Sequence, residues 1–180
     1  MKRAFEKYAF LVLIAGLIVT LDQWTKSLVR NNIVIGGTWL PQSLEWLSPY
    51  ARIVNWYNTG AAFGMFQNGS VVFSVLAIIV ICAIIYYFPQ VDKNDWTLRL
   101  AMSMQLAGAS GNLIDRLTHA GKVTDFISIG TFAVFNVSDA SISVGTVVLL
   151  LGVYLQERAA QKKENLKHAD EKQTDEVTIE

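Results

Sequence analysis

Apolar residues in this chain gather into four long blocks, and the periodicity inside and between them sets the expected elements. The first block covers residues 8–21 behind the cations Lys2, Arg3 and Lys7, and its helical character continues to Arg30. A cleaved targeting segment would show a small-x-small site after the apolar core. Asp22-Gln23-Trp24 stands there instead. An uncleaved helix is expected, and residues 8–29 are enough to cross a bilayer at about 1.5 Å per residue. The second block, residues 71–88, is nearly free of polar groups and stops at Pro89; it reads as a lipid-facing helix. The third begins near Trp96 and is unusually mixed, with Arg99, Ser103, Gln105, Gly108, Ser110, Gly111 and Asn112 before it ends at Gly111 to Arg116. Small residues at that density permit close helix packing, and the polar ones must face protein or a cavity. The fourth block is expected as a helix over residues 132–155.

Between the first two helices the pattern changes. Over residues 33–58, Gly36-Gly37, Pro41 and Pro49 punctuate short runs that favour strands, Ile33 to Ile35 and Arg52 to Trp56. Trp39, Trp46, Trp56 and Tyr57 crowd the same region, as amphipathic aromatics do at a membrane surface. A small β element lying on the bilayer is expected. Residues 123–129 alternate with period two, placing Val123, Asp125, Ile127 and Ile129 in one register. Past residue 155 the chain turns charged throughout. Residues 1–157 therefore read as one membrane domain and residues 158–180 as a solvated tail, disordered beyond its first turns.

Composition agrees. Of 180 residues, 52% are hydrophobic, and the formal net charge is zero. Zero net charge offers no argument for nucleic acid. The single cysteine, Cys82, lies in an apolar run and reads as a small buried hydrophobe; one cysteine builds neither a disulfide nor a thiolate metal site. The cations are uneven. Ten lie in the N-terminus, the second loop region and the tail, against five in the other two loops: Lys26, Arg30, Arg52, Arg116 and Lys122. The richer side is cytoplasmic. Both termini are expected inside, with Asp125, Asp139, Asn58 and the β element at the outer face.

Candidate chemistry lies where carboxylates meet hydrocarbon, a costly arrangement unless they are protonated, paired or wet. Asp125 interrupts an aliphatic register, and Asp139 opens the fourth apolar block. Asn136, three residues earlier, makes a capping arrangement with Asp139 a competing reading. Asp22, Lys26 and Arg30 fall at i, i+4, i+8 on one helix face, either as an interfacial ion pair or as support for a polar site. Asp115 opposes its helix dipole and needs a partner, with Arg116 or Lys26 available. For a serine triad His119 is the one histidine on the outer side, and no GxSxG accompanies it. Zinc hydrolysis lacks its ligands. A pair of aspartates sharing one proton can activate water and protonate a carbonyl oxygen. On the residues alone this stands level with a small proton-coupled transporter, which also uses intramembrane acids.

Five blocks in order resemble the bacterial lipoprotein signal peptidases, also called signal peptidase II. They are DQ-x-TK (Asp22, Gln23, Thr25, Lys26), N-x-GAAFG (Asn58, residues 60–64), GN-x-x-DR (Gly111, Asn112, Asp115, Arg116), V-x-DF (Val123, Asp125, Phe126) and FN-x-x-D (Phe135, Asn136, Asp139). Ser138 stands where that family more often has Ala. The resemblance covers residues 8–155. It implies a membrane all-α fold of four transmembrane helices with a small extracytoplasmic β-cradle at about 33–58. It implies an aspartic endopeptidase with a catalytic dyad of Asp125 and Asp139. Asn58, Gly60, Asn112, Arg116 and Asn136 would bind substrate or position the dyad, and Asp22, Lys26 and Asp115 would hold the architecture. The substrate implied is a prolipoprotein already carrying a diacylglyceryl group, cleaved just before the lipidated cysteine, in the bacterial inner membrane with the active site at its periplasmic face. Beyond that substrate and membrane lipid no partner is implied, and no cofactor or metal. The small residues 60–64 would leave room for an extended peptide. Four spans without a visible repeat weigh against the transporter; a third possibility is a non-catalytic assembly factor.

Overall fold

The computed structural model describes residues 2–60, 66 and 69–178, with side chains described over 7–60, 66, 69–158 and 160–161. The motif residues 61–64 therefore lie outside the described residues. Four helices, α1 (Lys2–Asn32), α2 (Ser70–Tyr87), α3 (Trp96–Thr118) and α4 (Val137–Thr178), carry a sheet of β1 (Thr38–Trp39), β2 (Ala51–Asn58) and β3 (Val123–Ile129). The sheet is antiparallel in the order β1-β2-β3.

Among the described residues three segments are long and apolar enough to cross a membrane: Lys7–Asn32, Ser70–Gln90 and Val137–Arg158. The fourth helix, α3, is too polar to join them by composition. It packs against all three others, so Arg99, Ser103, Asn112 and Asp115 are buried against protein instead of lipid. The overall distribution is that of a membrane protein. Asp22, Lys26, Asn136 and Asp125 are buried, while Val12, Leu13 and Leu17 on α1, Val71, Val72 and Ile79 on α2, and Val147, Leu150 and Leu151 on α4 are exposed. Hydrocarbon around the bundle accepts that apolar exterior, and most of the polar interior is satisfied by its own hydrogen bonds.

Glycines bring α3 and α4 together. A Cβ on Gly111 would meet Asp22 Oδ2 at 2.7 Å, one on Gly108 would run into the Ile142 side chain and the Ser138 carbonyl, and one on Gly145 would meet Met104 Cβ at 3.0 Å. These small residues set the interhelical distance, and with it the depth at which the N-terminus of α4 meets the polar end of α3. At the far end Leu11, Ile84 and Phe88 form an apolar plug, with the Arg99 guanidinium 4.3 Å from the Phe88 ring centre.

The structure departs from the sequence expectations in five places. Residues 33–35, expected as a strand, follow the end of α1 as irregular chain and turn, and the first strand is Thr38–Trp39. Helix α4 starts at Val137, not at 132. Phe135 instead bonds along β3: its N–H donates to the Ile127 carbonyl at 3.1 Å, and its own carbonyl accepts from Phe126 and Ile127 at 3.0 and 2.8 Å. The β element expected at 33–58 gains its third strand from residues 123–129, which explains their period-two pattern. The tail, expected to be disordered beyond its first turns, continues α4 as helix to Thr178; it is rich in Ala, Glu, Lys and Gln, which are strong helix formers. Cys82 is exposed on α2 and not buried.

Candidate active site

Strand β3 runs antiparallel to β2, pairing Asp125 with Trp56 and Val123 with Asn58. Its period of two sends Val123 and Asp125 to one face and Thr124 and Phe126 to the other. All four are buried. The first pair lines a cavity of about 530 Å³, and Phe126 belongs to the opposite surface against α1. Asp139 reaches the same cavity from the first turn of α4. There the capping arrangement is present: the Asn136 N–H donates to Asp139 Oδ2 at 3.2 Å, and the Asp139 N–H donates to Asn136 Oδ1 at 3.0 Å. That reciprocal pair starts the helix and fixes the Asp139 backbone.

Three asparagine amides orient the two carboxyl groups. Asn136 Nδ2 donates to Asp125 Oδ1 at 2.7 Å. Asn58 Nδ2 donates to Asp125 Oδ2 at 3.1 Å. Asn112 Nδ2 donates to Asp139 Oδ1 at 2.7 Å. Asn136 also donates to Asn112 Oδ1 at 3.1 Å, tying the two halves together. Each amide can present only one acceptor oxygen, so these bonds remove the freedom to flip. Capping and site are thus one structure: Asn136 starts α4 and holds both aspartates. Asn58 Oδ1 in turn accepts from the N–H of Gly60, which is buried at the cavity wall.

Beneath the asparagines lies an ionic layer. Lys26 Nζ is 2.9 Å from Asp22 Oδ2 and 3.3 Å from Asp115 Oδ2, and all three side chains are fully buried. Lys26 also donates to Asn112 Oδ1 at 3.1 Å. Arg30 Nη1 lies 3.5 Å from Asp115 Oδ1 and donates to Thr124 Oγ1 at 3.0 Å. Asp22 Oδ1 accepts the Ser138 N–H at 2.9 Å, and Asp115 Oδ2 accepts the Thr124 N–H at 2.9 Å. The layer therefore carries α1 onto the turns that present both aspartates. Asp115 finds Lys26, as the sequence allowed, together with Arg30. Arg116 turns to the cavity instead, where its charge is felt by Asp139 and Asp125. Its guanidinium lies 5.5 Å from the Phe73 ring centre, and its buried Nε has no hydrogen-bond partner among the described residues.

Every site residue named from the sequence thus comes to one end of the bundle. Three contributors were given no role there: Gln23, whose Nε2 reaches the Gly111 carbonyl at 3.1 Å and Asp115 Oδ1 at 3.3 Å; Thr124; and Phe73, which walls the cavity. Gln23 stood inside a motif. Nothing local in sequence points to Thr124 or Phe73.

The electrostatics follow from burial. Desolvation first, and then the Asp139 charge, push the Asp125 carboxyl up to about 7, against the opposing pull of its bonds to Asn58 and Asn136 and of the Lys26 charge. No cluster of metal-ligating side chains occurs among the described residues. The chemistry on offer is a proton held on one carboxyl beside a second carboxyl, with a cation at the cavity wall.

The profile of the family described as Signal peptidase (SPase) II matches residues 14–155. A lipoprotein signal peptidase of Halalkalibacterium halodurans is 35% identical over 157 residues, covering 85% of this chain and 97% of that protein. One from Enterococcus faecalis is 34% identical over 155 residues, covering 85% and 92%. Among solved structures, a bacterial membrane enzyme determined by the in meso method aligns with a TM-score of 0.74 at 28% identity, over 82% of this chain and 88% of that one.

Proposed function

The chain belongs to the signal peptidase II family and is a membrane-embedded lipoprotein signal peptidase, and from that premise we propose that Asp125 and Asp139 are its catalytic dyad and that it hydrolyses the peptide bond by the aspartic route. The observation that carries the proposal is the asparagine cage. Asn58, Asn112 and Asn136 hold two carboxyl groups from different elements against one cavity. A charge ledger supports the protonation state. The buried cluster holds four acids, Asp22, Asp115, Asp125 and Asp139, and three cations, Lys26, Arg30 and Arg116. It becomes neutral when one proton sits on the dyad, the state that burial favours. Asp125, held up to about 7, keeps that proton. Asp139 then deprotonates the attacking water while Asp125 protonates the carbonyl oxygen of the scissile bond. Asp139 then gives its proton to the leaving amine while Asp125 recovers a hydroxyl proton from the collapsing tetrahedral intermediate, which breaks the C–N bond and restores the dyad. Arg116, with an unpartnered buried Nε, is suited to hold a substrate carbonyl.

The substrate we propose is a prolipoprotein with a diacylglyceryl-modified cysteine, cut just before that cysteine. The cavity is polar at Asn58, Asn112, Arg116 and the dyad. It is apolar at Phe73, Phe132, Val134 and Ile142. A peptide crossing from water into lipid meets both surfaces. Acyl chains hold their cysteine at a fixed depth, each buried methylene contributing about 0.8 kcal/mol. The acids lie at a single end of the bundle, which suits hydrolysis at one face and not transport across it. The orientation we propose is the inner membrane with both termini cytoplasmic and the site periplasmic. Burial strengthens the cation argument, because Lys26 and Arg116 are absorbed into the site and Arg30 is paired there, leaving Arg52 and Lys122 as the free cations of that side among the described residues.

The test is purified protein incubated with diacylglyceryl-modified and unmodified forms of one precursor. Release of the signal peptide from the modified form, with poor cleavage of the other, is expected. Equal cleavage of both would remove the anchoring argument, and no cleavage of either would remove the substrate assignment.

A further inference from the structure

Lys26 has more contacts than an ion pair requires. Its ammonium is completely buried, neutralised from two sides by Asp22 and Asp115, and its remaining donor goes to Asn112 Oδ1. Asn112 has one oxygen and one NH2 group. With its oxygen occupied by Lys26 and by Asn136, its Nδ2 has a single direction left, and that direction holds Asp139 Oδ1 at 2.7 Å. The amide is a one-way relay: a buried positive charge on one side, a hydrogen bond directed at a dyad carboxyl on the other.

We infer that Lys26 is a positioning residue for the reaction, acting through Asn112 to hold Asp139 as the ionised, water-activating member of the dyad. This rests on the aspartic reading above and adds to it a cause for the asymmetry between two chemically identical side chains. Asp125 takes its amide hydrogen bonds from Asn58 and Asn136 instead. The other charges acting on Asp139 are Asp22, paired with Lys26, Arg116 across the cavity and Asp125 on β3; Asp115 is paired with Lys26 in turn. Coupled hydrogen bonds polarise one another, so a donor to an amide oxygen strengthens the bond its NH2 makes.

The experiment is the pH dependence of kcat for wild type, Lys26→Gln and Lys26→Arg, with kcat and KM separated. Lys26→Gln leaves a neutral donor and removes the charge. Its acid limb is expected to move up by about 1 pH unit, with kcat falling and KM nearly unchanged. Lys26→Arg, which keeps the charge, is expected to return the limb toward wild type. If Lys26→Gln fails to fold because Asp22 and Asp115 lose their counter-ion, the double variant Lys26→Gln with Asp115→Asn removes one charge of each sign and takes its place. Asp115 contacts neither dyad carboxyl, so the limb should still move. A limb that stays at the wild-type pH in a folded variant overturns the inference, whatever the loss of rate. If Asp125→Asn and Asp139→Asn were themselves active, the dyad reading would fail instead, so the two failures are distinct.

Discussion

Asp125 and Asp139 are the same residue type placed in different surroundings, and the difference gives the first testable consequence. Asp125 must hold its proton to act as the acid. Its carboxyl stands near 7, so protonation is complete below that value and is lost as pH rises through it. Activity is therefore expected to fall on the alkaline side with an apparent midpoint near 7, and on the acid side as the pair takes a second proton, both values belonging to the coupled dyad. A rate measured under single-turnover conditions from pH 4 to 9 checks this, and a flat profile would count against shared protonation. Ser138 offers a test of stability instead. Its hydroxyl is fully buried and without a hydrogen-bond partner among the described residues, while its N–H carries the bond to Asp22. Ser138→Ala keeps the N–H and removes an unsatisfied oxygen, whose burial costs about 1–3 kcal/mol. Melting in detergent should rise by about 2–12 °C; a lower melting temperature would show that the hydroxyl is satisfied. At this scale the sequence was highly legible, because a carboxylate among aliphatic residues is conspicuous. What stayed hidden were the partners made by long-range contact: Thr124 to Asp115, or Gln23 to Gly111.

The elements explain why the residues meet. Helix α3 is too polar to cross a bilayer alone, and α1, α2 and α4 shield it. The sequence displayed that polarity, and with it the density of small residues. It did not display which small residues touch α4. Gly108 and Gly111 lie on the touching face, against Ile142, Ser138 and Asp22. Gly108→Ala drives a methyl into a backbone carbonyl and an Ile side chain. Overpacking of this kind costs about 1–3 kcal/mol and should lower the detergent melting temperature, with loss of activity as Asp139 is pushed from the Asn112 amide. Unchanged melting would mean that α3 and α4 can separate freely. Strand β3 shows the limit of periodicity. Alternation ran through the strand, and Asp125 and Thr124 do take opposite faces. Both faces are nevertheless buried, because one faces the cavity and the other meets α1, so alternation did not report solvent. The start of α4 was missed for a related reason: Phe132 to Phe135 continue an apolar run, and the backbone bonds from Phe135 to β3 leave no trace in hydropathy.

At the scale of the whole molecule, the polar interior and apolar exterior were readable from composition and block length, while the proposed orientation rests on the cation count. Orientation is tested by placing a single cysteine at Thr131, which is exposed in the turn after β3, in a Cys82→Ala background. Labelling by a membrane-impermeant maleimide is expected in intact cells. A cysteine at Ala160 should react only after the membrane is opened. The reverse pattern would invert the topology and remove the periplasmic placement of the site.

The central claim, that Asp125 and Asp139 together perform the hydrolysis, is tested most directly by one comparison. Wild type, Asp125→Asn and Asp139→Asn are purified in equal folded amounts and incubated with the same diacylglyceryl-modified prolipoprotein, and release of the signal peptide is followed by mobility shift. Each variant loses a general acid or base, a contribution of about 10²–10⁴-fold, so both should show no cleavage on the timescale in which wild type goes to completion. Wild-type turnover by either variant would contradict the dyad.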